Sequence, residues 1–299
     1  MCGIVGLFTK NPAIEEKLGD YLSSMLIEMT DRGPDSAGVA FYRKPVAQGS
    51  IKLSLFAAAP NYPWRSLGAD LAEELDEAAE IEVRASHAVL VVHDEFERVH
   101  AWLRHHRPEL RIMSAGSSIE IFKEMGLPKD VVRRFELRGV AGSHALGHTR
   151  MATESAVTTE HSHPFSTGLD LCLVHNGSLS NHNRLRQVLR RKGITFETDN
   201  DSEVAAGYLT WRLQEGDGLD EALERAVSEL DGFYTFAVGT SDGFAVLRDP
   251  IACKHAVLAE TDDWVAMATE YRSIATLPGA DQARIWEPVA GRVYHWSRA

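Results

Sequence analysis

The sequence predicts an α+β protein built on antiparallel sheets, with helices packed against them and an α/β segment inserted at about residues 50–135. Three observations predict it. Short β-compatible runs gather at the two ends of the chain, helical periodicity fills the stretch between them, and no regular strand–helix alternation points to a doubly wound parallel sheet. The 299 residues are 44% hydrophobic and 25% charged, which supplies a substantial core and length for about two domains or one large one.

Each element has its own signal. Residues 2–9 are apolar and β-compatible, and Asn11-Pro12 then offers an N-cap with proline at the first helical position. Ile14, Leu18, Met25, Leu26 and Met29 fall at sums of three and four residues, which predicts one buried helical stripe ending at Gly33-Pro34. Residues 36–42 read as a strand. In the inserted segment Pro60, Asn61 and Pro63 mark a loop, acidic helical sequence follows, and residues 85–93 form a short apolar strand. Beyond it, residues 145–149 and 171–175 read as strands. Leu185, Val188 and Leu189 define a helix that Gly193 can cap, and residues 201–214 and 219–230 continue as helices. Four β-like runs close the chain, at residues 233–239, 244–248, 255–259 and 265–269.

Charge and composition exclude several classes of function. With 31 basic against 43 acidic residues the net charge is −12, which repels a nucleic-acid backbone or an anionic membrane. The longest apolar stretches, such as residues 88–92, fall far short of the roughly 20 residues needed to cross a bilayer. The opening residues lack the features of a secretory signal, so a cytoplasmic location is expected. Cys2, Cys172 and Cys253 form no Cys-x-x-Cys pair and leave an odd thiol, as in a reducing compartment. Cys172 and Cys253 read as buried small hydrophobes.

Cys2 is different. Removal of Met1 places a thiol and a free α-amine on one residue. Ordinary thiols titrate near about 8.5 and α-amines near about 8, so a proton passes between them at little cost. The plain alternative is a small apolar residue at the start of a strand.

Cys2-Gly3-Ile4-Val5-Gly6, Arg32-Gly33-Pro34-Asp35-Ser36-Ala37-Gly38, Gly147-His148-Thr149-Arg150-Met151-Ala152-Thr153, His175-Asn176-Gly177 and Asp201-Ser202-Glu203 follow one another in the order found in class II glutamine amidotransferases, which the chain resembles. The resemblance implies an N-terminal-nucleophile (Ntn) hydrolase domain over residues 2–299: a four-layer αββα sandwich of two antiparallel sheets. It implies that Cys2 attacks the side-chain carbonyl of glutamine and forms a thioester. Asn176 and Gly177 match the oxyanion hole, where one donor is typically worth about two to three orders of magnitude in rate. Arg150, Thr153 and Asp201 match the groups that bind the substrate's α-carboxylate and α-ammonium, and Arg32 and Asp35 match a supporting loop. Taken alone, these residues also suit an Asn-Gly turn, a surface ion pair at Arg150, a helix N-cap at Asp201 and a loop ion pair. Met151 and His255 depart from the family, standing where relatives often carry an aromatic residue and a proline.

Two other readings compete. Thirteen histidines, with His144, His148, His161, His163 and His175 close in sequence, invite a metal site, although a strand through His144 and His148 argues against paired ligation, and no metal is expected. A noncatalytic glutamine-binding scaffold is the other. Arg248-Asp249-Pro250 with Lys254, and Thr269-Glu270-Tyr271-Arg272-Ser273, also recur in relatives. With the long insertion they make the chain similar to the stand-alone amidotransferase subunits of glutamate-synthase-like complexes, N-methylglutamate synthase (methylamine–glutamate N-methyltransferase) in particular. That likeness implies acceptor chemistry on separate partner subunits, which would carry FMN and an iron–sulfur cluster, with no cofactor on this chain. The insertion is too long for a simple connection and is the candidate docking segment.

Overall fold

The computed structural model describes residues 2–75, 79–152 and 156–298. The chain begins with β1 (Gly3–Thr9), α1 (Pro12–Glu15), α2 (Leu18–Glu28) and β2 (Ser36–Tyr42). A block of β3 (Ile51–Ala57), α3 (Trp64–Leu75), β4 (Ala79–Arg84), β5 (His87–Val92), α4 (Phe96–His106) and β6 (Leu110–Gly116) comes next. After it run β7 (Ile119–Met125), α5 (Pro128–Arg134), β8 (His144–Arg150), β9 (Phe165–Gly168) and β10 (Leu171–Leu179). Three helices follow, α6 (His182–Arg191), α7 (Asp201–Gln214) and α8 (Leu219–Glu229). The last part holds β11 (Gly232–Gly239), β12 (Gly243–Arg248), β13 (Val257–Glu260), β14 (Trp264–Ala268), α9 (Tyr271–Ile274), β15 (Arg284–Trp286) and β16 (Val293–Ser297).

These strands make three antiparallel sheets. A seven-stranded sheet runs β15-β13-β14-β1-β8-β2-β7, a five-stranded sheet β16-β12-β11-β10-β9, and a four-stranded sheet β4-β5-β3-β6. The two larger sheets face each other across a core of Ile4, Phe8, Leu146, Val265 and Met267 from one and Cys172, Val174, Ala237, Phe244 and Val246 from the other. Their opposite faces are also covered. Val5, Leu7 and Phe41 pack with Leu22, Met25 and Leu26 of α2 and Val131 and Val132 of α5, while Leu171 and Leu173 pack with Leu189 of α6, Val204 and Tyr208 of α7 and Leu223 of α8. Side chains alternate across a strand, so β1 sends Ile4 and Phe8 one way and Val5 and Leu7 the other. Because both faces are buried, β1, β14 and the first four residues of β10 read as continuous apolar runs without polar alternation.

The helical stripe from Ile14 to Met29 is buried as its spacing predicts, but it belongs to two helices. Asn11 caps α1 through its side chain, and the ladder then breaks at Lys17. The Gly19 amide donates at 2.8 Å to the Val140 carbonyl oxygen, so a tertiary contact takes a donor the helix would have used.

The four-stranded sheet has its own core with α3 and α4, whereas β7 and α5 return to the seven-stranded sheet and its helical layer. Asp170 ties the parts together. Its carboxylate accepts from the amide and hydroxyl of Ser117, at 2.7 and 2.8 Å, from those of Ser118, at 2.8 and 2.9 Å, and from the Ile119 amide at 3.0 Å. Among the described residues no helix is long and apolar enough to cross a membrane. Cys172 is buried, but Cys253 is exposed, a correction to its expected burial, because it lies in the loop between β12 and β13.

Candidate active site

Cys2 sits half-buried at the entry of β1, with Sγ 3.9 Å from the Met151 carbonyl oxygen. Its neighbour has to be small. A Cβ on Gly3 would lie 2.8 Å from Thr149 Oγ1 and 2.9 Å from Met29 Cβ, so a side chain there would push β1 off β8. The strand end is fixed on its other side by Thr269, whose Oγ1 accepts from the Ile4 amide at 2.8 Å.

The Asn176-Gly177 pair comes to this point from the other large sheet. Asn176 Nδ2 donates at 3.2 Å to the Cys2 carbonyl oxygen. The pair is not a turn: β10 runs through it to Leu179, with Asn176 opposite Thr235 and Gly177 opposite Tyr234. Gly177 adopts φ +151°, and a Cβ there would run into the Phe233 carbonyl oxygen. Only glycine fits, which leaves backbone and no side chain beside Asn176.

Arg150 ends β8 and is 5% exposed, so it is no surface ion pair. Its Nη1 donates to the Ala156 carbonyl oxygen at 2.9 Å. Asp35 holds the chain just beyond it: the Asp35 amide donates to the Arg150 carbonyl oxygen at 3.0 Å, and Asp35 Oδ2 accepts from the Ala152 amide at 2.8 Å. The Met151 carbonyl that faces Cys2 is thus fixed from Asp35. Arg32 instead pairs with Glu270 at 2.9 Å, and Glu270 also binds Arg272 at 2.8 Å, which explains the Thr269-to-Ser273 block as an anchor for the Arg32 loop. Thr153 lies outside the described residues.

Asp201 opens α7, but the N-cap is Asn200, whose side chain accepts from the Ser202 amide at 2.9 Å. This corrects the cap reading of Asp201. Freed from capping, Asp201 accepts from the Leu179 amide at 2.9 Å through Oδ2, while Oδ1 lies 3.9 Å from His175 Nδ1. The loop before α7 is rigidly held. Glu203 accepts from the amides of Glu197 and Thr198, both at 2.8 Å, and Arg186 donates to the carbonyl oxygens of Thr198 and Asn200 at 2.6 and 3.0 Å.

Behind these groups lies a cluster that residue spacing alone does not assign. His148, His163, His175 and Ser202 are all buried, and the His148 and His163 rings stack at 4.0 Å. Burial holds all three imidazoles neutral, pushing His148 down to about 3 and the other two down as well. The available signal is that three of these residues fall inside blocks already singled out for chemistry. His144 is separate, stacked on Tyr42 at 4.1 Å with Nε2 2.9 Å from the Thr240 carbonyl oxygen. Among the described residues no three His, Cys, Asp or Glu side chains are grouped to hold a metal ion.

Comparison with known proteins agrees with this geometry. A glutamine amidotransferase domain model matches residues 148–276. The chain is 56% identical over 297 residues to the glutamine amidotransferase-like protein GlxB of Rhizobium meliloti (strain 1021), covering 99% of this chain and 98% of that protein. A putative glutamine amidotransferase of Methanothermobacter thermautotrophicus is 29% identical over 315 residues, covering 98% of this chain and 99% of that one. Among solved structures, glutamine phosphoribosylpyrophosphate amidotransferase from B. subtilis superposes with a TM-score of 0.63 at 20% identity, over 99% of this chain. The chain spans 47% of that structure's length, and the likeness is one of fold.

Proposed function

The chain belongs to the class II glutamine amidotransferase family, and from that premise we propose that it hydrolyses the side-chain amide of glutamine through a thioester on Cys2. The observation that carries the proposal is the 3.2 Å hydrogen bond from Asn176 to the Cys2 carbonyl, which brings a side-chain donor from one sheet to the backbone of the residue that leads into the other. We read the layers as the αββα sandwich of an Ntn hydrolase, in support of which both large sheets are covered by helices on their outer faces.

In this reading, loss of Met1 frees the Cys2 α-amine, which takes the thiol proton and returns it to the departing ammonia. As sulfur adds to the amide carbon, the oxygen gains charge. We assign Asn176 Nδ2 and the Gly177 amide to stabilise it, and such donors act best in a preorganised, dry site. Expulsion of ammonia leaves the thioester, and water cleaves it to glutamate. Arg150 offers a planar fork for the α-carboxylate. Asp201, its side chain 22% exposed, offers Oδ1 to the α-ammonium, with Thr153 as a further substrate contact. Arg32 and Asp35 support the loop and the Met151 carbonyl.

The ammonia goes to a separate glutamate-synthase-like partner, which we propose to be that of N-methylglutamate synthase, with FMN and the iron–sulfur cluster on the partner subunits. The docking segment is the insertion at about residues 50–135, of which only β3 to β6 with α3 and α4 form the separate unit, since β7 and α5 belong to the seven-stranded sheet and its helical layer. Its α4 carries Arg104 in its last turn, beside the C-cap Arg107 that pairs with Asp70, and we read Arg104 as the cation offered to an acidic partner face. Deleting α4 should abolish partner binding and spare glutamine hydrolysis; retained binding would refute the docking role. For the reaction itself, the processed chain should release glutamate from glutamine and lose this on Cys2→Ala. Survival of activity in that variant, or full activity with Met1 still attached by intact mass, would overturn the proposal.

A further inference from the structure

Three buried imidazoles and one hydroxyl lie behind Asn176, and the chemistry above uses none of them. Ser202 Oγ is 2.8 Å from His163 Nε2 and 2.8 Å from His175 Nδ1. His148 Nε2 is 3.0 Å from the His175 carbonyl oxygen. Counting protons sets the directions of these bonds. A carbonyl only accepts, so His148 carries its proton on Nε2. A hydroxyl has one proton, and that of Ser202 also has Asp201 Oδ1 within reach at 3.4 Å, so at least one of the two rings donates to it. Asp201 Oδ1, 3.9 Å from His175 Nδ1, favours a proton on that nitrogen. His175 therefore donates to Ser202, whose own proton has His163 Nε2 and Asp201 Oδ1 as its acceptors.

We infer that Ser202 is a positioning residue for the oxyanion strand: its hydroxyl holds the His175 ring while His148 holds the His175 carbonyl, so the peptide entering Asn176 is fixed at both places. The need for such a device is visible in the sheet. β9 accompanies β10 only at Leu171 and Leu173, and beyond that point side chains must do what a neighbouring strand does elsewhere. The ring also borders Gly177, since a Cβ there would lie 2.9 Å from His175 Nε2. Rotation of the imidazole would thus disturb both oxyanion donors at once. Ser202 is 1% exposed, so no water replaces its hydroxyl if it is removed.

The inference rests on reading Asn176 and Gly177 as oxyanion donors, and its test separates the two. Active sites are first counted by labelling Cys2 to completion with a glutamine-mimicking diazoketone, and kcat is expressed per labelled site, so that a misfolded fraction drops out. A wild-type chain that neither labels nor hydrolyses glutamine refutes the proposed function before any Ser202 variant is made. Given an active wild type, Ser202→Ala should lower kcat per labelled site about tenfold, less than the about 10²–10³ of a direct donor, because the effect passes through His175. KM should change less than kcat, since the Arg150 contact is untouched and Ser202 meets the α-ammonium contact only through its 3.4 Å hydrogen bond to Asp201 Oδ1. Ser202→Thr, which keeps the hydroxyl, should recover most of the loss. An unchanged kcat per labelled site in Ser202→Ala overturns the inference, as does a change confined to KM. So does a Ser202→Thr protein that labels fully yet is as slow as the alanine variant.

Discussion

Replacing Asn176 by alanine separates the chemical role of this residue from its structural one. In the resting site its amide makes one neutral hydrogen bond, 3.2 Å to the Cys2 carbonyl oxygen, and the side chain is almost wholly enclosed. A neutral bond of this kind contributes about 1 kcal/mol to stability, which in a domain of this size moves Tm by about 2–4 °C. An oxyanion donor contributes far more to the transition state, about 2.7–4 kcal/mol, equivalent to about 10²–10³ in kcat. The second effect is the larger by more than a factor of two, so Asn176→Ala should melt close to the wild type and turn over at most about one hundredth as fast. Glutamate release from glutamine, normalised to Cys2 labelled by the diazoketone, measures the first quantity, and a thermal melt the second. Asn176→Asp, which offers only acceptors near a developing negative charge, should be at least as slow. The reasoning is refuted by an alanine variant that labels fully and keeps kcat within about threefold of wild type.

Two further predictions concern the groups that hold the architecture around the site. Burial raises the Asp170 carboxyl, but the amides and hydroxyls of Ser117 and Ser118 outweigh it and leave the pKa lowered. Its stabilisation is therefore present above the ordinary carboxylate range and lost as pH falls through the lowered folded value. Asp170→Asn should cost about 3 kcal/mol and lower Tm by about 6 °C or more at neutral pH, with a flatter acid limb; a melt within about 2 °C of wild type would contradict this. Lys123 is buried with its ammonium donating to the carbonyl oxygens of Ser162, Pro164 and Glu160 at 2.8, 3.1 and 3.3 Å, and burial pushes it down to about 8. An unfolded lysine titrates near about 10.4, so between these values the unfolded chain binds more protons and folding stability rises with pH. Urea midpoints should rise from about pH 8 to 10 in the wild type and lose that rise in Lys123→Met; parallel curves for the two proteins would sink the assignment.

Much of this was legible in the sequence because its signals are local. The strand at Ser36–Tyr42, the helix at Asp201–Gln214 and the caps at Asn11 and Gly193 depend on neighbours a few residues away, and they stand where the spacing places them. The blocks around Cys2, Arg150 and Asn176 were readable for the same reason. What the spacing missed is set by distant contacts. The break between α1 and α2 follows from Gly19 bonding Val140, and the capping role passes from Asp201 to Asn200 once Asp201 is drawn to the Leu179 amide. Cys253 reads as apolar, yet it is exposed in the loop between β12 and β13. Ser202 was visible only as the middle of an Asp-Ser-Glu block, since no local pattern says that its hydroxyl meets rings 27 and 39 residues away.

The placement of the candidate site explains why the core between the two large sheets bears on chemistry. Cys2 enters one sheet and Asn176 lies on the other, and facing sheets stand about 10 Å apart. Backbone from one cannot reach backbone of the other at that spacing, so the join has to be made by a side chain, and the Asn176 amide makes it at 3.2 Å. The separation itself is set by the residues between the sheets, among them Ile4 two positions from Cys2 and Val174 two positions from Asn176. Removing a buried methylene from either would change the gap that Asn176 has to span, in a packed interior that relaxes only in part. Oxyanion geometry and core packing are thus a single constraint here. It accounts for the layout of the polar groups too: Thr269 pins the strand that carries Cys2 within its own sheet, while the strand that carries Asn176 is held at His175 by Ser202 from α7 and by His148 from β8 of the facing sheet, so a second side chain joins the sheets beside Asn176.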